Sequence, residues 1–163
     1  MSENIIEISE WQTPFQDGNL SIVSLDWGYK KFSLGRPKGY EYETKGHDED
    51  YELSVVVFHL ETEHIYAIKF PSADTFRILD EGGLLSIWSA KDWREKAKNT
   101  VKIRGHEWSK ESPLSFFHNS NDGWSFLIAT SMECVEIVTT SEPDISLVEK
   151  IELKETITPS LNP

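Results

Sequence analysis

Cys134 and the five histidines, His47, His59, His64, His106 and His118, are the side chains of this chain best suited to nucleophilic or metal chemistry. Their spacing argues against both. A zinc or hydrolase site needs groups at set intervals, such as H-E-x-x-H or a G-x-S-x-G elbow, and neither pattern occurs. Cys134 lies in an apolar run, which predicts a buried, inert thiol. His59 and His64 flank a predicted turn and approach each other across it as strand-end histidines. His47-Asp48-Glu49-Asp50 offers oxygens to a hard cation, but lacks the spaced ligands and distant glutamate of a calcium loop, and reads as a solvated acidic loop. Gly82-Gly83 follows two acids, which would repel a phosphate. Asp80 and Glu81 are adjacent. Neighbours on a helix do not face each other, so the pair suits a helix start, where it complements the dipole, better than acid–base catalysis. No cofactor or metal is implied, and the reading is of a protein without catalysis.

Charge carries more information. The chain has 28 acidic and 16 basic residues, a formal charge of −12. Such a surface repels nucleic acid and attracts basic proteins. Glu41, Glu43, Asp48, Glu49, Asp50 and Glu52 crowd one stretch, offset only by Lys45. A second acidic zone runs through Glu133, Glu136, Glu142, Asp144, Glu149 and Glu152. Basic residues gather at Lys30, Lys31, Arg36 and Lys38, and again at Lys91, Arg94, Lys96, Lys98, Lys102 and Arg104. The candidate partner-binding residues are therefore Glu41, Glu43, Asp48, Glu49, Asp50 and Glu52, with Asp80 and Glu81. Among the tryptophans, Trp27, Trp88 and Trp124 fall in apolar runs and read as core. Trp11, Trp93 and Trp108 have polar neighbours; each reads as partly buried, with exposure as an interface anchor the alternative.

The elements that must position these groups are mostly strands. Residues 20–27 read as a strand led by the turn Asp17-Gly18-Asn19. Residues 29–42, with two glycines and a proline, read as a loop or irregular strands. Residues 53–60 and 64–70, joined by Glu61-Thr62-Glu63, predict an antiparallel hairpin with Tyr66, Ile68 and Phe70 on one face. Residues 75–79 continue extended. A short amphipathic helix follows, capped by Asp80 and carrying Leu84, Leu85, Ile87 and Trp88; residues 89–96 extend it and Asn99 ends it. Residues 101–108 predict a half-buried strand, and residues 112–118 a capped helix with Pro113 at its first position. Residues 124–130 and 133–139 predict a second hairpin, and residues 145–153 a last strand. The fold class is α+β: a predominantly antiparallel sheet with one or two short helices.

A chain of 163 residues fits one domain, assigned to residues 1–155 with a tail at 156–163. With a single cysteine, no basic and apolar leader at residues 1–7, and no long apolar run, it is expected in the cytoplasm and off the membrane.

Residues 76–88, Phe-Arg-Ile-Leu-Asp-Glu-Gly-Gly-Leu-Leu-Ser-Ile-Trp, resemble a segment of small acidic bacterial proteins of the polymorphic-toxin immunity type. Ser115-Phe-Phe-His118, Trp124-Ser-Phe-Leu-Ile-Ala-Thr130, Cys134-Val-Glu-Ile-Val138 and Glu142-Pro143 resemble their C-terminal half, so the likeness spans residues 76–145. It implies an inhibitor that binds and neutralises a basic partner such as a cognate toxin, and it carries over no functional residue. Two other readings stand beside it. One is a small-ligand binder or small enzyme with a tryptophan-lined pocket between sheet and helix. The other is a homodimer built on an exposed strand edge.

Overall fold

Alternation of apolar and polar residues sets the architecture. The computed structural model describes residues 5–28, 52–73 and 75–150. In chain order the elements are β1 (Glu7–Glu10), β2 (Leu20–Trp27), β3 (Leu53–His59), β4 (His64–Phe70) and β5 (Thr75–Asp80), then a 3-10 turn (Glu81–Leu84), α1 (Leu85–Trp88) and α2 (Lys91–Lys96). There follow β6 (Thr100–Arg104), α3 (Glu107–Glu111), α4 (Pro113–Asn119), β7 (Ser125–Ala129), β8 (Glu133–Val138) and β9 (Asp144–Lys150). The strands form two antiparallel sheets, ordered β1-β6-β7-β8-β5 and β2-β3-β4-β9. The expected α+β class, mostly antiparallel sheet, is what the chain adopts.

Both predicted hairpins form, with His59 opposite His64 in one and Ala129 opposite Cys134 in the other. The four-stranded sheet turns Leu53, Val55, Val57, Tyr66, Ile68 and Phe70 inward. They meet Phe126, Ile128, Val135 and Ile137 of the five-stranded sheet in one core. Trp11 seals it, edge-on to Phe126 with ring centroids 4.9 Å apart. Aromatic pairs in this arrangement add about 0.5–1.5 kcal/mol beyond their burial. The opposite face of the five-stranded sheet holds a second apolar cluster of Ile8, Leu84, Ile87, Val101, Ile103, Leu127, Ala129 and Cys134, against which Trp88 and Trp93 pack. Strands β7 and β8 thus have both faces covered, which explains their unbroken burial.

The structure differs from the sequence reading in several places, each with a local cause. The strand predicted over 101–108 stops at Arg104, because Gly105 takes φ +77° and redirects the chain into α3. Its Cα approaches so closely that a Cβ there would lie 2.9 Å from the Ile5 carbonyl oxygen. The helix predicted over 80–96 is split, since Ala90 is extended, and α2 ends at Lys96 rather than Asn99. Four short α-helices and a 3-10 turn therefore replace the expected one or two helices. Ser112 precedes α4 without a side-chain cap, its backbone lying at φ −122°, ψ 58° rather than in the extended region typical of a capping residue. Trp11, read as partly buried with an interface anchor as the alternative, is 6% exposed and lies in the core. Trp27, Trp88 and Trp124, expected in the core, are half-buried. The loop predicted over 29–42 and the tail 156–163 lie outside the described residues.

Candidate functional site

The end of the five-stranded sheet where β5 and β8 meet gathers acids and aromatics. Asp80 closes β5 directly opposite Glu133, the first residue of β8. Like charges in that register destabilise a sheet. Asp80 also caps the 3-10 turn as expected, its carboxylate accepting from Gly83 N–H at 3.0 Å. Glu81 follows, and its backbone N–H donates to Met132 across the strand ends. Asp80, Glu81 and Glu133 are all exposed, and none forms an ion pair with a basic side chain among the described residues. Their combined field reaches Cys134. Burial pushes its thiol up, and the charges of Glu81, Asp80 and Glu133 push the same way, against the opposing effect of its contact to Thr130. Cys134 is buried, as its apolar strand implied.

Beside this cluster the helices leave a groove of about 570 Å³. Trp88 and Trp93 form one wall, their rings tilted 51° with centroids 4.4 Å apart. Trp88 is fixed by donating its indole N–H to the Glu81 carbonyl at 2.6 Å. The opposite wall is the loop before β2, with Gln16, Asp17 and Asn19. Glu61 holds that loop, accepting from Asn19 N–H at 2.9 Å and from the Asn19 amide at 2.7 Å. The backbone N–H bond lowers the Glu61 carboxyl below its ordinary range. Gly18, at φ +92°, leaves room for this clamp, since a Cβ there would fall 2.5 Å from a Glu61 oxygen. Asn99 ties the loop to the sheet through bonds to the Phe15 and Gly18 carbonyls. Within the groove Lys98 is neutralised by Asp17 at 2.5 Å. Glu81 also lines it, and the buried side-chain Oε1 of Gln16 in the wall has no donor among the described residues. A tryptophan face beside unpaired carboxylates favours a cation carried on an apolar stem.

Of the predicted acids, Glu52, Asp80 and Glu81 are among the described residues, and these three do not converge on one place. Glu41, Glu43, Asp48, Glu49 and Asp50 lie outside the described residues. Glu52 is exposed, and its carbonyl bonds Gly28 N–H beside the end of β2, where Trp27 packs on Phe76 near the start of β5. Asp80 lies about 13 Å further along β5 at ordinary strand rise. Asp80 and Glu81 are therefore near each other and apart from Glu52. Glu133 completes their cluster; its place opposite Asp80 follows from the register of two strands that the sequence could not pair. Four members of the basic run at residues 91–104 are taken up in ion pairs: Lys96–Asp92, Lys98–Asp17, Lys102–Glu142, and Arg104 with Glu7 and Asp122.

Glu136 departs most from its sequence reading. Counted among surface acids, it is 1% exposed on the helix-side face of β8. One oxygen accepts from Arg77 Nε at 2.7 Å; the other accepts from Ser125 Oγ at 2.7 Å and lies 2.5 Å from His106 Nε2. Burial raises this carboxyl, but its contacts to His106, Arg77 and Ser125 outweigh burial and hold it below its ordinary value. Arg77 in turn stacks on Trp108 at 4.5 Å, and Trp108 meets Phe116 of α4. The cluster pins α3 and α4 to the sheet. His59 and His64, though opposite in register, do not share a site: His59 bonds Thr62 and the Asp17 carbonyl, and His64 bonds Tyr66. Among the described residues no group of three or more His, Cys, Asp or Glu side chains is placed to hold a metal ion, and no helix is long and apolar enough to cross a membrane.

No family model, curated protein or solved structure matches this chain.

Proposed function

We propose that this is a binding protein without catalysis, which takes a basic protein as its partner in the manner of an immunity-type inhibitor of a toxin. One observation carries the reading: the groove walled by Trp88 and Trp93 opens beside Asp80, Glu81 and Glu133, acids without basic partners among the described residues. A lysine or arginine of the partner would lay its stem on the indoles and its charge against Glu81, while the remaining acids speed encounter. The resemblance of residues 76–145 to immunity-type proteins supports a toxin as that partner. The small-ligand reading draws on the same groove, with a cationic amine in place of a protein side chain.

Fluorescence titration of the full chain with hexa-arginine amide tests the proposal. Binding should change tryptophan emission, weaken as salt rises from about 50 to about 500 mM NaCl, and fall at least tenfold in Trp93→Ala and in the triple variant Asp80→Asn, Glu81→Gln, Glu133→Gln. Hexa-glutamate should leave the emission unchanged. Equal binding of hexa-arginine to wild type and both variants would defeat the assignment. Saturation by free agmatine as tight as by hexa-arginine would favour the small-ligand reading.

A further inference from the structure

We infer that the outer edge of β5 takes up an added strand, a cationic extended segment of the partner; the inference rests on the basic-partner reading and specifies how that partner docks. Four strands bound the two sheets, and three carry a device against further pairing. β1 has only 4 residues and bears Glu7 and Glu10. β2 is bulged between Ile22 and Ser24, and the pairing of β9 with β4 shifts register between Ile65 and Tyr66. β5 is longer than β1 and free of bulges, and its one acid, Asp80, stands at its last position. Its 6 residues pair with β8 in unbroken register, from Thr75 opposite Val138 to Asp80 opposite Glu133. It contains no proline or lysine, and its one basic residue, Arg77, is bonded to Glu136 and stacked on Trp108. Alternate residues of such a strand turn N–H and C=O outward. Among the described residues no hydrogen bond from another element reaches that edge. Ile78, in the middle, is 50% exposed.

Charge selects the occupant. Asp80 and Glu81 stand at the C-terminal end of this edge with Glu133 across from Asp80, so a segment bearing lysine or arginine there gains both ladder bonds and ion pairs. A second copy would bring another charge of −12 against the first. The added strand would cover Ile78 with an alternate apolar residue.

Hydrogen exchange of the full chain tests this, with a capped decapeptide of alternating lysine and valine as probe. The controls are a glutamate–valine peptide and a lysine–valine peptide N-methylated throughout its backbone. The outward-facing amides of β5, those not bonded to β8, should exchange readily in the protein alone and become protected only with the unmethylated lysine–valine peptide. Ile78→Lys, a change at a half-exposed site, should weaken that peptide about tenfold or more. Protection of these outward amides before any peptide is added, whether from this chain or from a second copy, would overturn the inference. A lysine–valine peptide that alters tryptophan emission but leaves β5 unprotected would overturn the added strand and spare the groove. Absence of binding at low salt would remove both.

Discussion

Glu136 shows what one residue can demand of its neighbours. A carboxylate at 1% exposure is tolerated because Arg77, His106 and Ser125 surround it, yet removing one member of such a set leaves the others buried and uncompensated. Glu136→Ala should cost about 3–5 kcal/mol in denaturant unfolding at neutral pH. The pH dependence has a definite sign. The carboxyl is held below its unfolded value in the native protein, so its contribution is present above pH 4.5 and is lost as pH falls through the native value. The wild type should therefore lose stability below pH 4.5 more steeply than Glu136→Gln. Parallel pH curves for the two proteins would show that the carboxylate is not the linked group. Nothing in the local pattern Glu133-Cys-Val-Glu-Ile-Val138 marks Glu136 for burial. Its partners are 59, 30 and 11 positions away in sequence (Arg77, His106 and Ser125), and only the fold brings them together.

Elements were legible in proportion to how local their causes are. β2 and both hairpins could be read from β-branched runs and polar joints, and their observed limits fall within a residue or so of the reading. The Asp80 cap was also legible, since a cap needs only a short polar side chain before a helical turn. Breaks set by a single backbone angle were not. Gly105 sat inside an apparently alternating strand, and its φ of +77° together with the Ile5 carbonyl ends β6. Gly105→Ala should accordingly destabilise the protein by about 1–2 kcal/mol or more, through left-handed strain and the close approach of Ile5. A thermal melt unchanged by this substitution would mean that the turn relaxes freely. The groove was invisible at this scale for a different reason: its walls come from the loop before β2, from α1 and α2, and from the β7–β8 turn, which no periodicity relates. Trp88 and Trp93 could be suspected singly, but their contact depends on the extended Ala90 that bends the chain between them.

Over the whole molecule, a formal charge of −12 opposes compaction, and ion pairing offsets it unevenly. Lys96 of α2, Lys98 of the adjoining turn and Lys102 and Arg104 of β6 are matched by nearby acids, whereas Asp80, Glu81 and Glu133 at the end of the sheet have no basic partner among the described residues. Repulsion between Asp80 and Glu133 across a strand pair is a cost that folding alone gives no reason to keep. A site selected for stability would carry a neutral or basic residue at one of these positions; one selected for binding a cation keeps all three and remains strained until occupied. The two demands separate experimentally. The triple variant Asp80→Asn, Glu81→Gln, Glu133→Gln should melt about 1–4 °C above wild type at low salt, because a like-charged cross-strand pair is relieved. The same protein should bind hexa-arginine amide more weakly, and the gain in melting temperature should shrink as salt screens the wild-type repulsion. A variant that melts lower than wild type would mean that these carboxylates support the fold, and the acidic sheet end would then lose its claim as a docking site.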